Sequence, residues 1–200
     1  MPPAKARKDR SDAILDVAIE LAEEGGFDNV RQRDVAAQAG VALGTLYKRF
    51  RSKEMLLVAT LEREANALER RMVEAPAKGR TSPLRVTAFF DVATKTLCKK
   101  PNFARAVLRA MASGVPEIAA NVAAYYGKLS GLLIAAMRGQ GRLDDDAEPP
   151  TETEISLSYL LLQVWFAALV GWSAGLLTQQ GVVDQAKTAA TLLTRGAEKG

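Results

Sequence analysis

The chain has 200 residues, 48% of them apolar, with a formal net charge of +4, which supports a packed core rather than a disordered chain. It contains no histidine, which removes His-based triads, His general bases and nearly all common zinc sites. Cys98 stands alone, so no intrachain disulfide can form; it reads as a small buried hydrophobe in a reducing cytoplasm. No cofactor and no metal site is expected.

The first ten residues carry Lys5, Arg7, Lys8 and Arg10 against Asp9, without an apolar run behind them, so no signal peptide is read. A first helix is predicted over Ser11–Glu24. Ser11 is its cap, and Ile14, Val17, Ala18 and Leu21 form one apolar stripe. Gly25-Gly26 stop it, the first of the pair suited to a left-handed C-terminal position. A short second helix is expected over Arg31–Gln38, a turn at Gly40, and a third helix over Leu43–Phe50. Ser52 caps a long fourth helix from Lys53 to about Met72.

APAKGRTSP, residues 75–83, reads as a connector. Beyond it every periodic stretch is helical: Pro83–Lys99, Asn102–Ser113, Glu117–Arg138, Thr151–Gln180 and Asp184–Glu198. Residues 139–150, with Asp144–Asp146, read as an exposed loop. No strand is expected, and the fold class is all-α. Between Ile155 and Val183 there is no charged side chain. That is long enough for a membrane span, but Ser156, Ser158, Gln163, Ser173 and Gln179 interrupt it and no Lys/Arg cluster flanks it. An interface helix is the preferred reading.

Charge is unevenly placed. Residues 11–30 hold six acids and no base, whereas residues 31–53 hold six bases against Asp34 alone. The basic segment coincides with two short helices joined at a glycine, a helix-turn-helix pattern. Val41, Leu46 and Phe50 are read as core. Thr45, Tyr47 and Lys48 face outward with chemistry for phosphate and base edges. Gly44 either lets a phosphate approach or packs closely on a neighbouring helix. Lys53 opposes the dipole of the helix it opens, which suits a phosphate lying between.

Ala36, Ala39, Gly40, Val41, Gly44, Thr45, Leu46, Tyr47, Phe50, Ser52, Lys53, Leu56 and Leu57 spell AxxAGVxxGTLYxxFxSKxxLL. This closely resembles the N-terminal signature of the TetR family of transcriptional repressors. The resemblance implies a three-helix DNA-binding domain at 1–53 and a helical effector-binding and dimerisation domain at 54–200. Two departures are present. Ala42 stands where the family often has a capping Ser, a loss of typically about 1 kcal/mol. Arg31 and Gln32 stand where Thr or Ser often begins the second helix, so Arg31 or Arg33 is expected to supply a cation in place of a hydroxyl contact to phosphate. The arm PPAKARKDR either reaches an adjacent groove or is a solvated tail.

For the second region the resemblance implies a ligand pocket and a homodimer formed through the last two helices. Pocket candidates are Phe89, Phe90, Phe103, Leu108, Met111, Tyr125, Tyr126, Met137 and Trp165, though core packing is the first reading of any one of them. Ala104, Ala106, Ala110 and Ala112 leave room for a bulky apolar ligand. Leu161, Val164, Ala168, Trp172 and Leu176 are expected at the dimer interface. VALGTLYKRFRSKEMLLVATLERE, KKPNF and VWFAALVGWSAG are similar to repressors of bacterial steroid (cholesterol) degradation, whose effectors are steroids or their CoA thioesters. The function expected is a ligand-responsive repressor on a pseudo-palindromic DNA operator, released by a small apolar effector. Alternatives are a regulator of efflux or lipid metabolism, or an activator of the same fold. An all-α enzyme would have to rest on Asp144–Asp146 and scattered Glu residues, and is set aside. No membrane partner is expected.

Overall fold

A computed structural model describes residues 4–144 and 146–197, with side chains from 11 to 194 apart from 145. Nine α-helices lie among the described residues: α1 (Ala4–Asn29), α2 (Gln32–Gln38), α3 (Leu43–Arg49), α4 (Lys53–Glu74), α5 (Ser82–Leu97), α6 (Pro101–Met111), α7 (Ala119–Arg138), α8 (Glu152–Ser173) and α9 (Gln179–Ala197). A 3-10 turn, Pro116–Ile118, precedes α7. Among these residues there is no strand. The chain divides into two compact units, residues 1–63 with 100–122, and residues 64–99 with 123–200.

In the first unit α1 begins earlier than expected. Residues 4–10 are rich in Ala, Lys and Arg, good helix formers, so Ser11 lies buried inside the helix and is not its cap. Ile14, Leu15, Ala18, Ile19, Leu21 and Ala22 form the buried stripe. The helical path breaks at the two glycines, but Gly26, not Gly25, takes the positive φ (71°, with ψ −165°). That extended region with φ above zero is essentially closed to side chains bearing a Cβ. The basic arm falls partly on residues 1–3 and otherwise on side chains outside the described residues, as does Asp145 of the acidic run.

Pro101 opens α6, where its missing N–H costs nothing. Phe103, Ala104, Ala106, Val107, Leu108 and Ala110 are buried, and α6 packs on α1. Glu23 receives its start. The Phe103 N–H donates to Glu23 Oε2 at 2.9 Å, and Asn102 Nδ2 to the Glu23 carbonyl at 2.9 Å. A carboxylate there meets the positive end of the helix dipole.

The second unit packs α9 against α5 and α8. Phe89, Phe90, Leu129, Leu133, Leu161 and Leu162 are almost fully buried. Two buried polar pairs form: Trp165 Nε1 donates to Thr94 Oγ1 at 2.9 Å, and the Ser130 and Ser158 hydroxyls lie 2.6 Å apart. Arg85 donates to the carbonyls of Ala136 and Met137 at the end of α7, where a cation meets the negative pole. The helix expected to run to Gln180 ends at Ser173. Gly175 takes φ 79°, its N–H reaches the Trp172 carbonyl at 3.0 Å, and the Leu176 N–H reaches Gly171 at 2.9 Å, the Schellman closure. The Thr178 hydroxyl accepts the Gly181 N–H at 3.0 Å, so α9 starts at Gln179 rather than Asp184.

Residues 116–138 and 152–173 are both long and apolar enough to cross a membrane by length and composition. Three of their charged groups, Lys128, Arg138 and Glu154, are paired within the second unit. Lys128 meets Glu69 at 2.8 Å, and Arg138 grips Glu154 with two bonds of 2.8 Å. Glu154 also closes a capping box with Thr151. The Arg138 guanidinium, followed by the Thr151 bonds, holds the Glu154 carboxyl down at about 2 from an ordinary 4.5. A depressed carboxylate stabilises the fold fully above its unfolded value and loses that contribution as pH falls through the folded one. Glu154→Gln is therefore expected to be less stable than the unmodified chain at pH 7. The gap should close as urea denaturation is repeated from pH 5 down toward 2.

Candidate nucleic-acid interface

The geometry of α3 is set at Gly40. The last turn of α2 closes with the Gly40 N–H on the Ala37 carbonyl (3.3 Å) and the Val41 N–H on Ala36 (3.0 Å). This reversal needs a left-handed residue, and Gly40 supplies it with φ 64°. Ala42 then enters α3 in an extended conformation and gives no side-chain cap. Val35, Ala36, Leu46 and Phe50 are buried, while Val41 and Ala39 are half-buried. One face of α3 therefore points inward and leaves Gly44, Thr45, Tyr47 and Lys48 exposed. Arg31 and Arg33 are exposed at the start of α2.

Six of the seven residues expected to meet DNA are thus on the surface, and the seventh is differently placed. Lys53 Nζ lies 3.9 Å from the centroid of the Phe27 ring, 3.5 Å from the Phe27 carbonyl and 3.4 Å from Asp28 Oδ1. Its charge is met by a cation–π contact and a carboxylate of its own chain. Asp28 is shared. Arg109 of α6 donates to its Oδ2 at 2.9 Å and lies 4.3 Å from the same ring. The Arg109 bond, followed by Lys53, lowers the Asp28 pKa, so both cations face an ionised partner. Asp28 and Arg109 escaped the sequence reading because nothing local links residues 25 and 81 positions apart. Arg49 and Arg51 are exposed beside the expected set; the count of bases in residues 31–53 was the signal that included them.

Gly44 has open space where a Cβ would stand, with no atom within 4 Å. Close packing on a neighbouring helix, one of its two sequence readings, is excluded.

The nine pocket candidates divide between the units. Phe103 and Leu108 are buried and Met111 half-buried in the first. In the second, Phe89 and Phe90 pack edge to face at 5.3 Å, and Phe90 lies 5.7 Å from Trp165. Tyr125 and Tyr126 pair at 6.2 Å, and Tyr126 meets Phe166 at 6.3 Å. Burial raises the Tyr125 phenol and pushes Tyr126 up to about 12, so both hydroxyls stay neutral. Met137 is buried.

The five residues expected at the dimer face are placed differently from one another. Leu161, Ala168 and Trp172 are buried within the chain itself, Val164 is half-buried, and Leu176 is exposed beyond the end of α8. The outward side of α8 carries Ile155, Tyr159, Leu160 and Val170, all at least 40% exposed. An apolar pattern on every side gives no phase; packing within the second unit decides it.

Comparison with known proteins gives matches over most of the chain. Residues 14–60 match the family model of bacterial regulatory proteins, tetR family, and residues 79–193 match a tetracyclin repressor-like C-terminal domain. The HTH-type transcriptional repressor KstR of Rhodococcus jostii (strain RHA1) is 35% identical over 169 residues, 84% of this chain and 75% of the relative. A solved TetR transcriptional regulator from Rhodococcus sp. RHA1 superposes with a TM-score of 0.79 at 25% identity, over 94% of this chain and 97% of that one. Thermus thermophilus FadR, a transcriptional repressor in complex with lauroyl-CoA, gives 0.70 at 19% identity, over 93% and 94%.

Gly44→Ala should leave the free chain as stable as before, or raise its unfolding free energy by about 0.5–1 kcal/mol, because Gly is the poorer helix residue. The same variant is expected to bind duplex DNA more weakly. Thermal melts and fluorescence anisotropy read the two effects separately.

Proposed function

This chain belongs to the TetR family of bacterial transcriptional regulators, and on that premise we propose that it is an effector-released repressor binding a pseudo-palindromic operator as a homodimer in the cytoplasm. The observation that carries the reading is the exposure of Arg31 and Arg33 at the start of α2 and of Gly44, Thr45, Tyr47 and Lys48 on α3. The cations suit phosphate, and Thr45 and Lys48 can reach base edges in a major groove. Lys53 keeps its place in the proposed set, with Asp28 supplying its nearest counter-charge in the free chain. Residues 1–53 form the reading part, and residues 54–200 the effector and dimer part.

The effector is a small apolar molecule, a steroid or its CoA thioester. In support of this, the second unit holds a run of aromatic contacts in which Phe89, Phe90, Trp165, Tyr125, Tyr126 and Phe166 take part. Resemblance to KstR and the fold shared with an acyl-CoA-bound repressor favour it further. Binding shifts the population toward a form whose half-site spacing no longer fits the operator.

The dimer forms through the outward side of α8, with Tyr159 and Leu160 at its centre. A pair of apolar helix faces joined in a four-helix bundle would remove them from water.

Selection of duplexes from a randomised pool tests the reading. The selected sites should be near-symmetric, and affinity should fall steeply between 50 and 200 mM salt, as counterion release requires. Failure to enrich any duplex at low salt would overturn it. Tyr159→Glu should shift the sedimenting species from dimer to monomer, with helical content retained by circular dichroism. A dimer that persists would place the interface elsewhere.

A further inference from the structure

We infer that Gln32 is a positioning residue for DNA reading: its side-chain amide fixes the C-terminal end of α3 against the first turn of α2. This rests on the DNA-binding reading above. Gln32 is the first residue of α2, half-buried between exposed Arg31 and Arg33. Its Nε2 donates to the Phe50 carbonyl at 2.5 Å.

Phe50 is the residue at which α3 stops, with φ −129° and ψ 100°. Carbonyls at a helix end have lost their intrahelical partners, and the Phe50 ring is buried, which draws the group toward the core. Two residues later Ser52 caps α4, its hydroxyl accepting the Met55 N–H at 3.1 Å. The amide therefore grips the corner from which both α3 and α4 are aimed.

Apolar packing alone does not define that corner. Leu46 and Phe50 resist being pulled from the core, but hydrophobic burial is non-directional and leaves rotation of a seven-residue helix poorly opposed. A hydrogen bond weakens steeply with angle. With the Gly40 turn at one end and the Gln32 bond at the other, α3 is tied to α2 twice. Binding groups need orientations held to about 10–20°. The position where the family often carries a hydroxyl is thus turned inward here, and the outward contact falls to its two arginine neighbours.

Gln32→Met keeps an unbranched side chain and removes the donor. Fluorescence anisotropy would follow binding to a labelled duplex selected by the unmodified protein, titrated from 50 to 200 mM salt. The expected result is affinity about three- to tenfold lower, the range of one lost hydrogen bond, with the slope of log K against log salt unchanged. A slope smaller by about one would mean that Gln32 touches phosphate directly, and an affinity within twofold would mean that the corner holds without it; either overturns the inference. Nuclear magnetic resonance of the unmodified chain gives a second reading that does not depend on the variant folding. The Gln32 side-chain amide should exchange slowly with water, and rapid exchange overturns the inference too. If the unmodified protein selects no duplex, the DNA-binding reading fails and this inference falls with it.

Discussion

The left-handed turn at Gly40 is the constraint on which the reading face depends. A residue with a Cβ would resist φ 64°, at a cost of roughly 1–2 kcal/mol, and any other backbone path there would change the angle between α2 and α3. Once the turn is fixed, burial chooses which side of α3 faces inward. Val35, Ala36, Leu46 and Phe50 must share one core, so α3 can present only its other side. A seven-residue helix has little stability of its own. Its orientation is a property of its attachments, which is why a bond as small as Gln32 to Phe50 acquires weight.

The first unit has a second set of attachments, drawn from distant parts of the chain. Asp28 accepts from both Lys53 and Arg109, and the Phe27 ring receives both cations. Exposed ion pairs taken singly contribute little. Here two of them share a carboxylate that sits next to an aromatic ring, so neither cation moves without the other feeling it. Glu23 at the start of α6 adds an attachment two turns away. The arrangement joins the first turn of α4 to α6 through the short segment after Gly26. It also explains why Gly26 holds a backbone conformation that other residues avoid: the path of α1 must kink there for Phe27 to face both partners.

Much of this was legible in the sequence wherever the cause is local. Helix order, the Gly40 turn, the Ser52 cap and the inward Leu46 all follow from residues within one turn of each other. What escaped was long-range or symmetric. Ser11 resembled a cap because the basic residues before it looked like a tail; their helix propensity carries α1 back to Ala4. Gly175 was readable as a stop, but the apolar residues on both sides of it masked the break in what seemed one helix. Lys53 was read against its own helix dipole alone, whereas Asp28, 25 positions earlier, supplies the balancing charge.

The rotation of α8 about its axis is the more instructive case. A helix covered on one side by its own chain ordinarily carries charge on the other, and that contrast is what periodicity detects. Between Ile155 and Ser173 the contrast is missing, so sequence can say that both sides want cover but not which side faces inward. Packing supplies the answer through polar partners: Ser158 meets Ser130 on α7, and Trp165 meets Thr94 on α5, which fixes the rotation of α8 about its axis. Length and apolar composition would equally suit a membrane span. A lipid-facing helix, however, gains nothing from a carboxylate in its first turn locked to an arginine of α7, and Glu154 is locked there by Arg138. The uncovered row of Ile155, Tyr159, Leu160 and Val170 is then the remainder of a helix whose inward side is already spoken for. The proposed dimer would cover that row with a second surface equally poor in charge and leave both sides dry.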